Sequence, residues 1–94
     1  MICPICDRDL PSSERSSHHL IPKLKGGKNG PTIDIHRICH SKIHSIFSES
    51  ELANIYNSVD KLKSSSDIQS FIKWVSKKPI NYFDSSKLSN KRKR

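Results

Sequence analysis

Two matched pairs of residues are the first sign of chemistry in this chain. Cys3-x-x-Cys6 and His36-x-x-Cys39 repeat one spacing, in which two intervening residues let both side chains of a pair reach a single ion. Together they offer three thiols and an imidazole, a donor set suited to tetrahedral zinc. Four protein ligands close the coordination sphere and make such an ion structural rather than reactive. His40 is the alternative fourth ligand, and His36 is preferred because it keeps the two-residue gap. The cysteines number three, and an odd count argues against a closed disulfide framework.

With His36 set aside, His18, His19, His40 and His44 remain. His40 and His44 are four apart, so on a helix both rings approach an ion on one face. His18 and His19 are adjacent, so on a strand they point to opposite sides and do not both ligate one ion. One binds metal and its neighbour does another job. Phosphodiester hydrolysis divides in the same way: a base activates water, and a metal stabilises developing charge. Three imidazoles on one ion leave room for phosphate and water, and the spare histidine has the proton affinity to act as base. Imidazole donors suit Zn, Ni, Co or Mn better than Mg, so Mn or Ni is expected to serve better than Mg.

The elements that must hold these groups are short. His18 to Lys23 reads as an extended run stopped by Pro22, with Ser12 to Ser17 a loop before it. Thr32 to His36 alternates with β-branched residues and reads as a second strand, joined to the first by the Gly26-Gly27 turn. Cys39 to Phe47 takes up a helical period. Ser48-x-x-Glu51 has the form of a capping box opening a second helix to about Leu62, whose apolar positions are Leu52, Ile55, Tyr56, Val59 and Leu62. Ser66 or Asp67 caps a third helix with Ile68, Phe71, Ile72 and Val75 on its stripe and Trp74 beside it, ending before Pro79. The expected fold is a small α+β finger with two packing helices, divided as 1–47, 48–83 and a basic, disordered tail 84–94.

Composition agrees with a stapled fold. Phe47 is the sole aromatic before Tyr56, so the first half has little apolar bulk and needs a staple, either disulfide or metal, to hold one conformation. The formal charge of +8 favours a polyanionic partner. The four basic residues Lys91-Arg92-Lys93-Arg94 add to it at the tail. Lys23, Lys25, Lys28 and Arg37 surround the histidines in sequence and are candidate phosphate contacts. No signal peptide and no run of apolar residues long enough to span a membrane is visible, so a soluble, cytoplasmic protein with reduced thiols is expected.

The residues Cys3-x-x-Cys6, His18-His19-Leu20-Ile21-Pro22 and His36-x-x-Cys39-His40-x-x-x-His44 resemble the HNH endonucleases of the His-Me finger class, over Cys3 to about Phe47. That resemblance implies a ββα-metal finger hydrolysing DNA phosphodiester bonds to 5′-phosphate and 3′-hydroxyl ends. It makes His19 the general base and assigns His18, His40 and His44 to the catalytic divalent ion (Mn, Ni, Zn or Mg). Cys3, Cys6, His36 and Cys39 then hold the structural zinc. The family's central asparagine, which orients the base, has no counterpart on the second strand; Thr32 or Asn29 takes that role, with Thr32 preferred. No helix is built to read bases, so sequence specificity falls to a protein partner, and a homodimer would let a single-site enzyme cut both strands. The alternative is a non-catalytic, zinc-containing DNA-binding module derived from the same finger.

Overall fold

The first ten residues double back around the Cys3-Cys6 pair, in a computed structural model that describes residues 1–83. Ile2 and Asp9 form an antiparallel bridge. Cys3 N–H donates to the Arg8 carbonyl at 2.9 Å, and Asp7 N–H donates to the Cys3 carbonyl at 2.8 Å. Asp7 takes the left-handed backbone conformation at φ 61°, which a short polar side chain tolerates better than most.

A 3-10 turn, Ser12–Glu14, leads into β1, Arg15–His19, which pairs antiparallel with β2, Thr32–His36. The register runs from Arg15 opposite His36 to His19 opposite Thr32. This corrects the expected first strand: Arg15 to Ser17 belong to it, and Leu20 to Lys23 do not. Arg-Ser-Ser-His-His carries no apolar alternation, because Ser16 and His18 occupy the positions of one face and both are polar. Past His19 the pairing closes with Leu20 N–H donating to the Pro31 carbonyl at 3.2 Å, and Pro22 has no N–H to extend it.

The connection tucks under itself. The Pro22 carbonyl accepts from Lys25 N–H and Gly27 N–H, enclosing a 3-10 turn at Lys23–Lys25. Gly26 sits at φ +91°, and a Cβ on Gly27 would fall 1.7 Å from the Ile21 carbonyl oxygen. Both glycines are therefore required by the backbone path.

Helix α1, Arg37–Ile46, follows β2 directly with His36 at its N-cap. Ser48 and Glu51 form the expected reciprocal capping box at the start of α2, Glu49–Asn54. The expected continuation to Leu62 is absent. The chain breaks after Asn54 and restarts as α3, Val59–Ser64, capped by Ser58 Oγ accepting from Lys61 N–H at 3.2 Å. A serine cap is worth about 1 kcal/mol, and Asn57 Nδ2 adds a bond to the Ala53 carbonyl at 2.8 Å. The break leaves Tyr56 stacked on Phe47, ring centroids 4.2 Å apart. It also leaves Ile55, assigned to the apolar stripe by its spacing, 53% exposed. Helix α4, Ser66–Val75, begins at Ser65 as N-cap rather than at Ser66 or Asp67. Three helices, not two, thus follow α1 among the described residues.

One apolar cluster joins the knuckle, β2 and the helices: Cys3, Ile5 and Leu10 from the knuckle, Ile35 from β2, Ile38 and Ile43 from α1, and Leu52, Leu62, Ile68 and Val75 from the later helices. Phe71 and Val75 are buried in it, whereas Trp74 lies at the surface, edge-on to Tyr82. Among the described residues no helix is long and apolar enough to cross a membrane. The expected tail, Asp84 to Arg94, lies outside the described residues.

Candidate functional site

Two clusters of potential ligands share α1. In the first, one ligand atom each from Cys3, Cys6, His36 and Cys39 lies within 4.8 Å of all the others, and all four residues are buried. Cys3 and Cys6 come from the knuckle, while the extended end of β2 and the first turn of α1 bring His36 and Cys39 to meet them. Cys6 Sγ is 3.4 Å from His36 Nδ1, and His36 N–H points at Cys3 Sγ at 3.4 Å. His36 Nε2–H donates to the Ile80 carbonyl at 3.0 Å. A carbonyl only accepts, so in the neutral ring the proton sits on Nε2, and Nδ1 keeps its lone pair facing the sulfurs.

Hydrogen bonds from Cys3 and Cys39, with a lesser one from Arg8, hold the Cys6 thiol far below its ordinary range, while Cys3 and Cys6 together with burial drive Cys39 far above it. The cluster alone thus favours one thiolate, shared between its neighbours. A divalent cation is what lets all three sulfurs ionise in so small a volume. The free, buried thiols and the donor set fit a structural zinc ion, and a zinc finger in a small α+β fold is what they describe.

In the second cluster, His18, His40 and His44 bring one ring nitrogen each within 4.8 Å of the others. The ring centroids form a near-equilateral triangle with sides of 5.1, 5.3 and 4.9 Å. His18 is fully buried, and among the described residues neither of its ring nitrogens has a hydrogen-bond partner. Leaving such a group unsatisfied costs about 1–3 kcal/mol, and an ion between the three rings would satisfy one of its nitrogens. Burial, reinforced by His40, His44 and His19, pushes His18 down to about 4. Burial, then His44 and His19, does the same to His40. Burial lowers His44 as well, against the pull of Glu49. The rings are therefore neutral at physiological pH, the form that donates to a metal.

The second cluster opens on a cleft of about 320 Å³ lined by Ser17, His19, Pro22, Lys23, Leu24, His40, His44 and Glu49. His19, unlike its buried neighbour His18, reaches this cleft. Thr32 lies directly across the sheet from His19, and directly opposed residues share a face. Asn29 is exposed in the turn. Among the basic residues singled out from the sequence, Lys23 borders the cleft, and Lys25 and Lys28 are exposed on the same connection. The Arg37 guanidinium is otherwise engaged: Nε donates to buried Glu14 at 2.9 Å, and the group lies 4.4 Å from the Phe83 ring centre.

Three residues at these sites were not singled out from the sequence. Ser16 Oγ lies 2.7 Å from His40 Nδ1. Glu49 reaches the cleft from the first turn of α2. Arg8 Nε points at Cys6 Sγ at 3.4 Å, and its Nη1 donates to the Lys78 and Pro79 carbonyls at 3.1 and 3.0 Å. The basic spacing two residues past a C-x-x-C is the one hint Arg8 offered; the serine run around Ser16 reads as loop.

No protein-family profile matches the chain, and no solved structure does. A curated protein of Bacillus subtilis strain 168, YisB, described as uncharacterized, is 36% identical over 93 residues, spanning 99% of this chain and 91% of the relative. On that identity and coverage, the chain belongs to the same family as YisB.

Proposed function

We propose that the protein is a metal-dependent DNA endonuclease built on an HNH-type ββα-metal finger, with β1, β2 and α1 as its working elements. The observation that carries this reading is the His18-His40-His44 triangle, which opens on a cleft also lined by His19 and Lys23. His18, His40 and His44 would hold the divalent ion, while Cys3, Cys6, His36 and Cys39 would hold the structural zinc. A bound divalent ion supplies positive charge at the phosphoryl and leaving oxygens. His19 takes the proton of the attacking water from its place in the cleft, and Thr32 across the strand pair keeps its imidazole oriented. Lys23 at the rim holds a neighbouring phosphate, a contact that adds affinity without reading sequence.

Nicking of supercoiled plasmid by wild type beside His19→Ala, with Mn, Ni, Zn and Mg compared, tests the reading. Wild type is expected to nick best with Mn or Ni, and the variant to lose about 100- to 10,000-fold in rate with its metal content and fold unchanged. Activity with Mg alone would break the three-imidazole assignment. DNA retained without nicking under any metal would turn the reading into a binding module.

A further inference from the structure

The two clusters differ in how their histidines are fixed. At His36 a backbone carbonyl leaves no choice of tautomer. At His40 the partner of Nδ1 is the Ser16 hydroxyl, 2.7 Å away, and a hydroxyl either donates or accepts. If Ser16 donates, the neutral ring carries its proton on Nε2. If it accepts, the proton is on Nδ1 and Nε2 keeps the lone pair.

We infer that Ser16 accepts from His40 Nδ1–H and is the positioning residue that aims Nε2 of His40 at the ion, an inference that rests on the three-histidine metal centre of the proposed function. Three features support it. Ser16 and His18 are two apart on β1, so one strand face delivers both a ligand and the group that orients another ligand. Ser16 is opposite Ile35, a fully buried core residue, so its register on the sheet is locked by packing. With Nδ1 occupied by Ser16, Nε2 is the His40 nitrogen left for the triangle that brings His18 and His44 within 4.8 Å. Outer partners of ligating imidazoles commonly fix the tautomer and ring orientation in this way. Ser16 therefore tunes metal affinity without touching metal or substrate.

The test uses protein already carrying one equivalent of zinc, and nickel as the probe. Calorimetric titration is expected to give nickel affinity about 10- to 100-fold weaker in Ser16→Ala than in wild type, the usual effect of removing such a partner. Ser16→Thr keeps the hydroxyl and should return to within a few-fold. Before nickel is added, long-range 1H–15N spectra should show His40 as the Nδ1–H tautomer in wild type and as a mixture in Ser16→Ala. A wild-type His40 protonated on Nε2, or nickel affinity equal in wild type and Ser16→Ala, would overturn the role of Ser16 while leaving the metal centre in place. Wild type that takes up no nickel would remove the centre, and the role of Ser16 with it.

Discussion

The cysteine-rich and histidine-rich clusters draw on the same segment of chain, where Cys39 and His40 stand next to each other on α1, about 100° apart around its axis, and join different clusters. All four residues of the first cluster are buried. In the second, burial is graded from His18, fully enclosed, through His40 to His44, which is exposed and borders the cleft. Four donors around one point leave a tetrahedral ion no open position, whereas three leave at least one. On the proposed reading the same elements would produce a closed site that contributes to folding and an open one with room for a reactant. What separates them is the sequence around β1: the first cluster is completed by the knuckle, and the second by a strand that faces a cleft.

The sharpest way to break that comparison is to remove one ligand from each side. Cys39→Ser removes a buried potential zinc ligand whose sulfur sits 3.9 Å from that of Cys3. Structural zinc contributes on the order of 10–16 kcal/mol in small fingers, as much as the whole stability of a typical domain. The variant is expected to lose its helical circular dichroism at 25 °C, and chelation of wild type should have the same effect. A Cys39→Ser chain with a native spectrum and cooperative melting would show that the apolar cluster holds the fold unaided.

His44→Ala probes the other side. Its side chain is exposed at the cleft, so thermal stability should change by less than about 0.5 kcal/mol, and one equivalent of zinc should remain bound. Nickel affinity, in contrast, should fall by more than about 100-fold, beyond the effect of an outer partner, and nicking should fall with it. If the variant unfolded as Cys39→Ser does, the second cluster would be a structural site like the first.

Much of this arrangement was legible because metal ligands must obey narrow spacings. Cys3-x-x-Cys6, His36-x-x-Cys39 and His40-x-x-x-His44 stand out in any register, and the structure brings them into the two groups that the spacing suggested. The first strand was misplaced because the positions that face α1 hold Ser16 and His18, and hydropathy has no period for a polar strand. The long second helix was misplaced for the opposite reason. Leu52, Ile55, Val59 and Leu62 keep a helical period across a break that Ser58 and Asn57 impose through local hydrogen bonds. Spacing reports which residues meet; it is silent on the side chains that hold them there.

Arg8 is such a residue, and it ties the closed cluster to the segment that follows α4. Its guanidinium reaches Cys6 on one side and the Lys78 and Pro79 carbonyls on the other, while His36 Nε2 holds the Ile80 carbonyl. The segment after α4 is therefore hung directly on the cysteine cluster by three backbone acceptors. Removing Arg8 leaves the His36 bond and all four potential zinc ligands, so zinc content should be unaltered. The loss of a charge-assisted bond to backbone is worth about 1.5–3 kcal/mol, and it should be felt locally. Arg8→Ala is expected to melt several degrees lower and to speed amide exchange at residues 78–83 more than in α1. Equal exchange changes in both regions would mean that the segment is not a separate unit clipped onto the cluster. In that case the closed site and the last helix would open together, and closure would belong to the whole domain rather than to its four ligands.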